Sequence, residues 1–201
     1  NPIAEWLYNS IVSMPGAHKK YSFMKNLYSR PTFSYLLTEM AKWDKYDAIF
    51  APTKSFGFKG QVNHPVRHLL FGVGASILET KDIPMDLYYN YEWSAPTEKG
   101  SPVRKEYIEC MKKHLLSLCP RGVGVDSVRI LESCYYGRIP VIITDEDYFL
   151  FGENKCDIEN FCYKIVLSPL DPQPEVTLFE FLRKIYEEPE GTLSEKAACA
   201  H

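Results

Sequence analysis

Two runs of the chain repeat one order of parts. "KYDAIFAP…HPVRHLLFGVGASILETKD" (Lys45–Asp82) and "KHLLSLCP…DSVRILESCYYGRIPVIITDED" (Lys113–Asp147) each read strand, Pro, Gly-containing loop, Val-Arg, helix, Gly, strand, acid. Strands separated by a helix cannot close as hairpins, because parallel strands need a crossover of about a dozen residues or more. The alternation therefore predicts an α/β fold built of Rossmann-like βαβ units around a mainly parallel sheet. Any two βαβ units share this order. The echo is thus either generic or the mark of two Rossmann-like lobes that each offer a loop to one cleft.

Residues 1–46 read as mostly helical, interrupted at Met14-Pro15-Gly16 and at Arg30-Pro31. The pattern then predicts a strand over 47–52, a loop over 53–65, a helix over 66–74 and a strand over 75–79. "MDLYYNYEW" (85–93) alternates weakly and is rich in aromatics, and 94–102 is the clearest linker. A helix over 103–114 puts Tyr107, Ile108 and Met111 on one face. Next come a strand over 115–119, a loop over 120–127, a helix over 128–136 stopped by Gly137, and a strand over 139–144. A further strand is expected over 161–168 and a helix over 175–188. The tail from Pro189 is expected to fray.

The chain is 45% hydrophobic and 14% aromatic, enough to bury a core. Its net charge of −3 argues against generic electrostatic binding to nucleic acid, while leaving room for a local basic pocket. No apolar run approaches the roughly 18 residues of a membrane span. No basic-then-apolar leader opens the sequence, which starts at Asn1. The six cysteines show neither a CxxC pair nor zinc spacing. Together these predict a reducing, cytoplasmic setting, or a lumenal one if a signal or anchor has been removed.

The loop 120–127 carries the chemistry. In an open α/β sheet, ligands bind beyond the carboxyl ends of the strands, where this loop lies. Gly122 and Gly124 let backbone approach a ligand, and Asp126 or Ser127 suits the N-cap of the helix that follows. Helix N–H groups aimed there suit a phosphate. Arg121 can meet a diphosphate through two parallel hydrogen bonds, and Arg129 stands in the first helical turn. That position opposes the helix dipole, so a bound anion would account for it. Glu132, one turn further, either accepts from ribose hydroxyls or pairs with an arginine. The glycines match neither G-x-G-x-x-G nor a Walker loop. An i,i+3 surface pair and a plain turn account for the same residues one by one.

Taken together, Pro120-Arg121-Gly122, Ser127/Arg129/Glu132 and Gly137/Pro140-Val141 closely resemble the donor-binding segment of exostosin-like glycosyltransferases. They are similar, more distantly, to protein O-glucosyltransferases. The resemblance is strongest over Leu118–Ile143. It implies a GT-B-like fold, a nucleotide-diphospho-sugar donor (UDP- or GDP-linked), a glycan or glycoprotein acceptor and inverting transfer. No cofactor or divalent metal is expected. Arg121 and Arg129 would hold the diphosphate, and Glu132 the nucleotide or its ribose. The chain would divide into an acceptor-side lobe, residues 1–95, and a nucleotide-sugar lobe, residues 96–201. Since 201 residues are short for two full lobes, the first is expected to be reduced, or the chain to be part of a larger protein.

Inverting transfer needs a base for the acceptor hydroxyl. His64, in a loop at a strand's carboxyl end, has the right intrinsic pKa, and Asp86, among aromatics that could stack on a sugar, is its rival. His64 could equally cap the next helix. Arg67 is either a third diphosphate contact or a solvated helix residue. Two other functions fit the sequence. Asp145-Glu146-Asp147 resembles the D-x-D of metal-dependent GT-A enzymes, with Asp145 and Asp147 on the ion. The chain could also be a sugar- or nucleotide-binding domain without catalysis.

Overall fold

The computed structural model describes residues 17–18, 51–80, 82–89, 102–122, 127, 129–149 and 158–200. In chain order the elements are β1 (Ala17–His18), β2 (Thr53–Gly60), α1 (Pro65–Thr80), β3 (Met85–Tyr89), α2 (Pro102–Lys113) and β4 (His114–Pro120). They continue with α3 (Arg129–Tyr135), β5 (Ile139–Thr144), β6 (Tyr148–Phe149), β7 (Tyr163–Val166), α4 (Pro174–Tyr186) and α5 (Glu190–Ala200). β1 and β6 form a two-residue antiparallel pair.

The other five strands make one sheet in the order β3-β2-β4-β5-β7. Every pairing in it is parallel, as the alternation of strands and helices predicts. After β3 the chain crosses back over β2 and adds every later strand on the far side. This doubly wound order has its switch point between β2 and β4, the place where such sheets bind ligands. The expected division at 95/96 falls between β3 and α2. Strands from both sides of that position share this sheet.

Side-chain alternation along the strands feeds both faces. Leu116 and Leu118 of β4 and Ile139, Val141 and Ile143 of β5 join α1, α4 and Leu193 of α5 in the main core. On the opposite face Cys119 and Ile142 pack with Ile130 of α3, while Ile108 and Met111 of α2 meet Tyr136. The five described cysteines are free thiols, three of them buried.

Three expected elements differ. Residues 53–60, read as part of a loop over 53–65, form β2, with Phe56 and Phe58 both turned into the core. The expected strand over 75–79 is the second half of α1. Val66, Leu70, Val73 and Ile77 make one buried stripe through it, and Gly74 is no stop: it lets Met85 and Leu87 of β3 approach the helix. The tail does not fray but forms α5, anchored by the fully buried Leu193. The strand expected over 47–52 lies outside the described residues except for Ala51 and Pro52, which have no strand structure.

Gly137 behaves as expected. Its φ of 62° is the left-handed conformation that ends α3, its N–H donates to Cys134 O at 2.9 Å, and Arg138 N–H donates to Ser133 O at 2.8 Å. Arg138 then turns its guanidinium onto the last carbonyls of α2, donating from Nη2 to Lys112 O at 2.7 Å. The stop of one helix thus caps its neighbour.

Candidate donor site at the sheet's switch point

Arg121 directly follows β4 and extends its ladder, its N–H donating to Ile143 O at 2.9 Å. The side chain is buried, and Nη1 donates to Asp145 Oδ1 and to Glu146 Oε1, each at 2.8 Å. Both acids sit in a turn after β5 set by Thr144, whose Oγ1 accepts from Glu146 N–H at 3.2 Å. Nη2 of Arg121 has no partner among the described residues.

Arg129, at the start of α3, is buried between two rings. Its guanidinium carbon lies 4.7 Å from the centroid of Phe58 and 4.6 Å from that of Tyr107. Nη2 donates to Lys59 O. Burial opposes the charge, but the Tyr107 and Glu132 oxygens outweigh it and raise the pKa. Glu132, one turn up α3, accepts from Tyr107 Oη.

Arg67 reaches the same ring from α1, 5.6 Å from the Phe58 centroid. It is half-buried and donates only to carbonyls: Nη1 to Gln61 O at 2.9 Å, Nε to Arg121 O at 3.1 Å, Nη2 to Pro120 O at 3.5 Å. Burial and the neighbouring Arg129 lower its pKa to about 10. The Val-Arg steps of the two sequence runs are Val66-Arg67 and Val128-Arg129. Their arginines converge on one phenylalanine.

His64 stands at the N-cap of α1, where its Nδ1 accepts from Val66 N–H at 3.3 Å. An accepting Nδ1 leaves the ring proton on Nε2, which faces Asp145 Oδ2 at 4.0 Å. Burial and Arg121 hold the His64 pKa below its ordinary value against the pull of Asp145. In this tautomer the ring is a donor, and acting as a base would require giving up the cap.

Asp86 is not brought to this cluster. It pairs in register with Gly57, which pairs with Ser117, four residues before Arg121. At about 3.3 Å per residue that is roughly 13 Å down the sheet. Its carboxylate is engaged by Lys113 and lies 3.3 Å from His114 Nε2.

Asp145 and Asp147 turn to different cations, Arg121 and, at 3.1 Å, Lys164. Among the described residues no three His, Cys, Asp or Glu side chains converge as metal ligands. Gly124 and Asp126 lie outside the described residues. Ser127 opens α3 through its carbonyl, which accepts from Ile130 N–H at 3.0 Å. Gly122 meets protein: a Cβ there would lie 2.8 Å from Arg67 Nη2.

Sequence reasoning missed Phe58, inside a segment read as loop, Tyr107, read only as part of an apolar helix face, and the hold of Asp145 and Glu146 on Arg121. For Arg67 the sequence carries a signal, its place in the echo, but that alone does not separate a site residue from a solvated one.

No helix among the described residues is long and apolar enough to cross a membrane. A comparison with curated proteins finds no match. Residues 74–188 match the family model of the RXYLT1 C-terminal domain. That span, more than half of the 201 residues, takes in Arg121, Arg129, Glu132 and the Asp145–Glu146 turn but begins after His64 and Arg67. The chain belongs to the RXYLT1 C-terminal domain family, of the exostosin-like glycosyltransferase type.

Proposed function

We propose that the domain moves a sugar from a nucleotide diphospho-sugar to a hydroxyl of a glycan or glycoprotein, with inversion and without a divalent metal. The family match favours xylose as the sugar, carried on a UDP or GDP donor. One observation supports the reading above the others. Arg67 and Arg129 stack on Phe58 at the switch point, and neither makes an ion pair among the described residues. Two like charges beside one ring repel each other. A diphosphate near the pair offsets that repulsion and accepts charge-assisted hydrogen bonds from Arg129 and Arg121.

In the reaction the acceptor oxygen bonds to the anomeric carbon as the bond from that carbon to the diphosphate breaks. The electron pair leaves on the diphosphate. Arg129 and the Nη2 group of Arg121 meet the growing charge, which is where binding accelerates the step most. Glu132 accepts from the ribose hydroxyls beside Tyr107. His64 offers Nε2–H to a donor oxygen, and the acceptor's proton passes to a base on the acceptor side.

Calorimetric titration with UDP-, GDP- and ADP-sugars, each in EDTA and in Mn²⁺, tests the reading. UDP- or GDP-xylose binds in EDTA. Arg129→Ala, verified as folded by circular dichroism, binds roughly ten- to a hundredfold more weakly, the worth of a hydrogen bond to a charged group. Full affinity in that variant, or binding that requires Mn²⁺, overturns the proposal.

A further inference from the structure

Arg67 lies outside the family match, on the first turn of α1, yet its side chain spans the switch point. One end of its fork holds Gln61 O, just beyond β2, and the other end holds Pro120 O and Arg121 O, at the end of β4. The neighbouring Gly122 has no side chain, and a Cβ there would press on Nη2 at 2.8 Å. The glycine of the Pro120-Arg121-Gly122 turn therefore makes room for Arg67. Phe58 backs the guanidinium from below. A planar fork is suited to hold three carbonyls on two loops at once, and a lysine's single ammonium is not.

We infer that Arg67 is a positioning residue of the donor site, clasping the Pro120-Arg121-Gly122 turn to the β2–α1 connection and so fixing where Arg121 meets a diphosphate. The inference rests on the donor-site reading above. It assigns Gly122 to the clasp rather than to the ligand. It also distinguishes diphosphate from nucleoside: without the clasp Arg121 is misplaced, while the surfaces that hold base and ribose stay intact.

The test is to titrate UDP, GDP and ADP into the wild-type chain, then the best binder and its nucleoside into Arg67→Met, Arg67→Lys and Gly122→Ala. Calorimetry reads the diphosphates, ligand-observed NMR reads the nucleoside, and circular dichroism confirms folding. The expected result is a loss of at least tenfold in diphosphate affinity in all three variants, with nucleoside affinity within twofold of wild type. Gly122→Ala and Arg67→Lys keep the test decisive if Arg67→Met does not fold. Diphosphate affinity within twofold of wild type in the folded variants, or equal losses for diphosphate and nucleoside, overturns the inference while the donor site stands. A wild-type chain that binds none of the three diphosphates overturns both.

Discussion

Arg121 and Asp145 meet at 2.8 Å across the carboxyl ends of neighbouring strands, and Glu146 takes the same NH₂ group at the same distance. The guanidinium is buried, while the carboxylates are 36% and 41% exposed. Both acids therefore take one NH₂ group of the cation, and the other has no partner among the described residues. They hold Arg121 in place and also compete with any anion that approaches it.

Asp145→Asn should raise affinity for the diphosphate. Partly exposed ion pairs are worth about 0.2–1 kcal/mol, which corresponds to a gain of roughly 1.4- to fivefold. Calorimetry with UDP reads it. A loss of affinity would mean that Asp145 orients Arg121 more than it competes for it.

Tyr107 has two tasks that substitution can separate. Tyr107→Phe keeps a ring over Arg129 but removes the hydroxyl donated to Glu132. Stability should fall by about 1 kcal/mol, with donor affinity changed less than threefold. Tyr107→Leu also removes the stacking surface, and affinity should fall further. Urea denaturation and calorimetry on both variants check the split.

Two histidines contribute to the pH dependence of stability just below neutrality. Burial lowers the His114 pKa, with Lys113 adding to the effect and Asp86 opposing it, and burial and Arg121 lower that of His64. The unfolded chain, with histidine near its ordinary value of about 6.5, then binds more protons than the folded chain. Stability is full above that pH and declines below it as the pH falls toward the folded values. His114→Gln should flatten this slope, and His64→Asn should remove its share while keeping a capping side chain. Denaturation at pH 5 and pH 7.5 measures the slope, and a wild-type chain equally stable at both would refute the assignment.

Gly57 is required by its neighbour in β4. A Cβ there would overlap the buried imidazole ring of His114, whose Nδ1 is hydrogen-bonded to Ser55 Oγ at 2.8 Å. Gly57→Ala should cost about 1–3 kcal/mol, the usual penalty of overpacking. Combining it with His114→Ala should recover part of that cost, a coupling measurable as a double-mutant cycle. Additive effects would show that the ring moves aside freely.

The alternation of apolar runs and helices was enough to determine the parallel α/β class, because the strand–helix–strand order carries its own geometry. Local chemistry also read correctly where it acts within a few residues. Gly137 stops α3, and the helices over α2 and α4 follow their apolar stripes. β2 was unreadable for a tertiary reason. Its Gly57 clears His114 of β4, a residue 57 positions away, and without that neighbour the segment looks like loop. Gly74 misled in the same way, since its missing side chain is filled by β3. The sequence located Arg121, Arg129 and Glu132 in one motif, but a motif carries no partners. Only the return of the chain after β3, which pairs β4 with β2, brings Arg67 and Phe58 beside them, while the register of β3 sets Asp86 far down the sheet. Residue types and periods fix which elements form. Which charges share a ring or a carboxylate is decided by strand order, and strand order is a property of the whole sheet.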